Sequence, residues 1–232
     1  MLEYIDKIFN NFKSCFSRQS AFQWFVVIIV GFMIRSDKIG TTSVIRDLAL
    51  SSKIYDTMNH FFRASSWSLE SIKLKWFEVV NSSAPLYKEE GYTILIGDGV
   101  KQAKEGRHMP GVKKLFQESE NSSKPEYIFG YMFGVLAGNV SKWFCIPLHV
   151  NFQDGIQTIL SWKAKEEQPR THMVQMIENG YEAAKTFGKS LLLLNRYFLS
   201  VPALVQLEQC NHSEDAIMHL ISKAKKSCMA YQ

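Results

Sequence analysis

The sequence predicts an α/β protein, with a mixed sheet and flanking helices preceded by an all-helical N-terminal domain. Three observations predict it. Residues 1–80 place apolar side chains at helical spacing. From Gly91 the pattern changes to short apolar runs rich in β-formers. Later in the chain those runs alternate with a helical stripe, so three strands come first and βαβ units follow. Between the halves, residues 81–90 (NSSAPLYKEE) are polar, contain Pro85 and read as a linker. The expected organisation is a helical domain over 1–80, a linker over 81–90 and a sheet-based core over 91–232.

Composition narrows the class. Hydrophobic residues make up 46% of the 232 and charged residues 21%, ordinary for a globular protein with a true core, and 6 Pro and 13 Gly against 16 Phe, 9 Tyr and 5 Trp give no sign of disorder. The net charge of +5 is compatible with a polyanionic partner without demanding one. Cys15, Cys145, Cys210 and Cys228 form no CxxC pair, which argues against both a zinc site and a disulfide framework and fits a reducing, cytoplasmic setting. The N-terminus has no apolar signal core. There is no GxGxxG or GxxxxGK[ST] loop, and no Ser, Cys or His constellation for acyl transfer.

In the helical half, the run Ala21–Ile34 (AFQWFVVIIVGFMI) needs a decision first. A membrane span takes about twenty apolar residues. This run is shorter and reads as a buried core helix. Thr41, Thr42 or Ser43 is expected to cap a helix over Val44–Leu50, and Ser51 or Ser52 another through Phe62. Ser68 opens a third, Leu69–Val80, with Leu69, Ile72, Trp76, Val79 and Val80 on its apolar face. Arg35, Arg46 and Arg63 scatter over these helices; a DNA-binding surface and a plain bundle both fit.

In the second half, Gly91–Gly97 (GYTILIG) predicts a buried strand that ends at Asp98. Residues 99–124 read as a polar, basic loop. Glu126–Ala137 and Lys142–Phe152 read as strands joined by a turn at Gly138-Asn139. Thr171 is expected to cap a helix to about Phe187, with Met173, Met176, Ile177, Tyr181 and Ala184 on one stripe and Gly188 ending it. Ser190–Leu194 (SLLLL) reads as a buried strand that runs into Asn195. A helix from Pro202 to Gln209 and a strand over Asp215–Ser222 complete the series. This is the element order of the RNase H-like fold. There the first and fourth strands lie side by side and parallel, so the tips bearing Asp98 and Asn195 are expected to meet.

Several segments carry a more specific resemblance. The segment from Gly97 to Gly134, GDGVKQAKEGRHMPGVKKLFQESENSSKPEYIFGYMFG, resembles the first-acid segment of DDE transposases of bacterial insertion sequences. TSVIRDLAL and FFRASSWSLE resemble their helical N-terminal region. SLLLLNRYFLSVPAL resembles the segment that usually reads LDRYFL and carries the second acid, and HLISKAKKSCMAY resembles the strand after it.

The resemblance implies DNA transposition by metal-dependent cleavage and strand transfer, with Mg²⁺ or Mn²⁺ as cofactor. Two such cations, roughly 3.5–4 Å apart, stabilise the attacking and leaving oxygens. By position, Asp98 matches the first metal-binding acid and Asn195 stands where the second belongs. The third, a Glu on a later helix, has no counterpart before Gln232, so the core is expected to be C-terminally truncated. An amide offers one neutral carbonyl oxygen where a carboxylate offers two charged ones. Little or no metal binding and no catalysis are therefore expected.

The implied partners are the DNA ends of the element, and a second copy or a full-length transposase. No membrane is implied, and the setting would be cytoplasmic and nucleoid-associated. The resemblance also assigns Lys101, Lys104, Arg107, His108, Lys113 and Lys114 to DNA contact; by composition alone the segment reads equally well as a solvated loop.

The remaining candidates take blander readings. Asp154, before Gly155, reads as a turn residue. His149 reads as a satisfied core histidine, and Glu178 and Glu182 as a surface pair one helical turn apart. Arg196 and Tyr197 follow the second-acid position; phosphate contact and structural packing both fit them.

Overall fold

The computed structural model describes residues 2–37, 40–104, 106, 109–117, 125–152, 171–212 and 216–223. The chain forms two compact units, Met1–Ser82 and Ser83–Gln232.

The first unit is helical: α1 (Leu2–Asn11), α2 (Gln19–Ile34), α3 (Thr41–Asp47), α4 (Tyr55–Phe61) and α5 (Leu69–Ser83). The apolar run forms α2, a core helix as expected, and among the described residues no helix is long and apolar enough to cross a membrane. Ala21, Phe22, Phe25, Ile28 and Gly31 are its buried positions. Phe25 packs against Phe9, Phe12 and Phe16. A Cβ on Gly31 would stand 2.3 Å from Val44 Cγ1, so the glycine is what lets α3 approach.

Some details depart from expectation. The helix α3 begins at Thr41, capped by Gly40 with φ of 100°, so the three hydroxyl residues expected as caps lie inside it. The buried hydroxyl of Ser43 instead donates to Asp37. In α5 the buried residues are Phe77, Val79 and Val80. Leu69 is 67% exposed, because it occupies the first turn, beyond the packed part of the helix. Ser68 does cap α5, accepting from Ser71 N at 3.1 Å.

The second unit is built on one mixed seven-stranded sheet with flanking helices, the architecture of an RNase H-like core. Its strands are β1 (Lys88–Glu89), β2 (Tyr92–Ala103), β3 (Lys113–Phe116), β4 (Tyr127–Ser141), β5 (Phe144–Phe152), β6 (Ser190–Leu194) and β7 (Met218–Ser222). The main order is β3-β4-β2-β6-β7, with β5 on β4 and β1 on β2. β4 runs antiparallel to β2, β3 and β5, while β6 is parallel to both β2 and β7.

Among the described residues the helices of this unit are α6 (His172–Phe187) and α7 (Val201–Cys210). Thr171 caps α6 and Gly188, at φ of 83°, follows its last turn. α6 presses Met176, Ile177, Gly180, Ala183 and Ala184 inward. At Gly180 an added Cβ would lie 2.8 Å from Leu192 Cδ2, so the helix backbone rests directly on the Leu192 side chain. The buried Thr93 hydroxyl donates to Phe187 O at 3.1 Å, tying the start of β2 to the end of α6.

Three boundaries differ from the sequence reading. The strand expected to stop at Asp98 continues to Ala103, because β4 keeps pairing with it after β6 has ended. Part of the expected basic loop is therefore strand: the end of β2, and β3. The β4–β5 turn falls at Lys142-Trp143, beyond Gly138-Asn139. Gly138 is a strand residue whose missing Cβ leaves room for Leu86, and Ser141 Oγ accepts from Trp143 N at 3.4 Å in the turn itself. The last strand begins at Met218.

Candidate functional site

Parallel pairing of β2 with β6 matches Thr93 to Ser190 and so on up to Gly97 with Leu194. The next residues in that register are Asp98 and Asn195. Both side chains are exposed, and they touch: Asn195 Nδ2 donates to Asp98 Oδ1 at 3.1 Å. Side chains alternate across a strand. Gly97 therefore faces α6, where an added Cβ would meet Leu194 Cδ2 at 2.5 Å and Met176 Sδ at 2.7 Å. Asp98 faces the other way.

Local backbone groups hold the pair. Asp98 Oδ1 also accepts from Gly99 N at 2.8 Å. Asn195 Oδ1 accepts from Tyr197 N at 2.9 Å, an Asx turn that commits the carbonyl end of the amide. The NH₂ end is left to face Asp98. The turn is anchored by Phe198, which is buried and whose N donates to Asn195 O at 3.1 Å. Tyr197 stacks on His172 with ring centroids 5.2 Å apart and planes at 11°. Its ring thus has a packing role, while its amide orients Asn195.

This donor set does not fit a two-cation clamp. A carboxylate at position 195, held by the same Tyr197 amide, would turn its second oxygen toward Asp98 and call for a cation between them. The amide puts an N–H donor there instead. Among the described residues no group of three or more His, Cys, Asp or Glu side chains gathers as a metal site.

The other predicted site residues are dispersed. Lys101 pairs across with Met132, on the side of the sheet away from Asp98, and its Nζ donates to Phe116 O at 2.7 Å. Lys104 follows β2, its backbone N donating to Phe129 O. Lys113 pairs with Gly130 and Lys114 with Phe129, so the two project from opposite sides of β3. Lys114 Nζ lies 4.3 Å from the centroid of the Tyr127 ring. Arg107, His108 and Asp154 lie outside the described residues. In the helical unit, Arg46 is engaged with Asp37 at 2.6 Å and Asp47 at 2.8 Å. Its hydrogen bond is the main cause that holds the Asp47 carboxyl below its usual range.

Sequence reading passed over the backbone amides of Gly99 and Tyr197 and the anchor Phe198. The signal for the second amide was present: Asn at the head of Asn195-Arg196-Tyr197, directly after a strand, is a typical Asx-turn start.

No curated protein matches the chain. A family model described as DDE superfamily endonuclease matches residues 11–147, more than half of the chain, and that span includes Asp98. With that match and the seven-stranded mixed sheet beneath Asp98, the chain belongs to the DDE superfamily of endonucleases.

Proposed function

We propose that this chain is a transposase-type protein of a bacterial insertion sequence that holds DNA but does not cut it. Membership of a DDE endonuclease family supports action on DNA, and endonucleases of this superfamily use divalent metals. One observation carries the loss of cleavage: the contact of Asn195 Nδ2 with Asp98 Oδ1. Two carboxylates at these tips would repel, and a cation would relieve them. Here the amide supplies the relief, so the attraction that would draw Mg²⁺ or Mn²⁺ into the pair is mostly gone.

The reading gives Asp98 the place of the first acid and Asn195 that of a neutralised second one. The N-terminal helices and the lysines at 101, 104, 113 and 114 serve as DNA contacts, Lys101 and Lys113 from one side of the sheet and Lys114 from the other, and Arg107 and His108 are assigned the same role. Such a protein is suited to occupying the element's ends, alone or beside an active copy.

The test is cleavage of supercoiled plasmid and of duplexes bearing the element's ends, with Mg²⁺ or Mn²⁺. We expect duplex binding that weakens steeply with salt and no nicking above background. Turnover that depends on Asp98 would overturn the assignment of lost activity.

A further inference from the structure

We infer that the aromatic side of β4, which leads away from Asp98, is a stacking platform for an unpaired DNA strand. The inference rests on the reading of this chain as a DNA-holding protein and names the form of DNA. Residues 127, 129, 131, 133 and 135 alternate onto one side of β4. Val135 is the cross-strand partner of Asp98, and Phe133 that of Val100. Starting from the Asp98 level, that side therefore carries Phe133, Tyr131, Phe129 and Tyr127 in succession. Same-side positions recur every ~6.8 Å along a strand.

The far end is partly exposed. Tyr127 is 45% exposed, Phe129 38%, and Phe116, the cross-strand partner of Tyr127, 46%. Phe116 and Tyr127 meet edge to face at 5.4 Å. The nearer end is firmer. Tyr131 and Phe133 pack with Phe152 in a three-ring cluster, and the Tyr131 hydroxyl donates to Pro110 O at 3.3 Å.

Charge identifies the occupant. Lys114, on the same side of the β3–β4 ribbon, sets its ammonium over the Tyr127 ring, a cation among exposed rings. Glu126 borders the row at its end. A strand whose bases stack on rings while its phosphates meet a lysine uses both features. A duplex uses only the second, because its bases already stack on one another. Continuity with the Asp98 tip favours nucleic acid over a protein partner: a strand bound along the row runs directly to the candidate site.

The experiment uses the full-length chain and a fluorescent oligothymidylate, with duplex of the same length in parallel. Phe129→Ala and Tyr127→Ala are each expected to weaken oligothymidylate binding about tenfold, in line with the usual effect of removing one stacked ring. Phe129→Tyr keeps a ring and should keep affinity, which separates lost stacking from lost fold. Duplex binding should change little in all three. Unchanged oligothymidylate affinity in both alanine variants overturns the platform, as does a shift in oligomeric state without a binding change, which would make the row a contact between copies. Loss of the platform with duplex binding intact leaves the proposed function standing; a chain that binds neither DNA form removes both.

Discussion

Gly97 and Asp98 are neighbours in one strand and live in opposite environments. On Gly97's side the sheet meets α6 so closely that one added carbon has no room. On Asp98's side the strand is open: Asp98 and Val100 are both exposed. The difference teaches how an acid can be held still without being buried. The α6 side supplies rigidity through Leu192, Met176 and Gly180, and the strand transmits it to the other side as a fixed Cα position. The open side is then free to choose its chemistry, and in this chain the choice at position 195 is an amide.

That contrast can be broken from the packed side first. Leu192 is fully buried beneath Gly180. Leu192→Ala should lower the unfolding free energy by about 2–5 kcal/mol, the range for large cavities in cores, as read by urea denaturation of the second unit's transition. Gly97→Ala should follow, at about 1–3 kcal/mol, because the new methyl must displace Leu194 and Met176. A variant as stable as the parent would show that the α6 side is loosely packed and could not hold the tip in place.

The open side should respond in the reverse sense, with little change in stability and a change in chemistry. Asn195→Asp should alter thermal stability by less than about 1 kcal/mol in the absence of divalent ions, as expected for an exposed pair. Added Mn²⁺ should raise the melting temperature of this variant and leave the parent unmoved, because only the variant has two carboxylates that a cation can bridge. An equal response in both proteins would mean that the Asn195 amide does not decide cation binding. Asp98→Asn in the Asn195→Asp background should abolish the response.

Much of the fold was legible because periodicity reports local burial. The α2 run, the capped helices α5 and α6, and the four-leucine run of β6 each follow from patterns within a few residues. What periodicity missed depended on distant partners. Asp98 looked like a strand end because apolar residues stop there, yet β4 extends the strand through Val100, Gln102 and Ala103. Gly138-Asn139 looked like a turn because glycine is read as a breaker. Here the glycine serves close packing against Leu86, and the chain turns four residues later. The lysines between 101 and 114 looked like one basic surface, and strand formation sends Lys101 and Lys113 to one side and Lys114 to the other.

By itself, the sequence determined that an acid stands at 98 and an amide at 195, each directly after an apolar strand run, and that the two halves of the chain have different periodicities. Only the tertiary structure decided that these two side chains touch, and which end of the amide does so. Contact requires parallel pairing of strands nearly a hundred positions apart. The direction of the amide is set by the Tyr197 backbone N–H, which needs an acceptor and takes the carbonyl oxygen, leaving the NH₂ to Asp98.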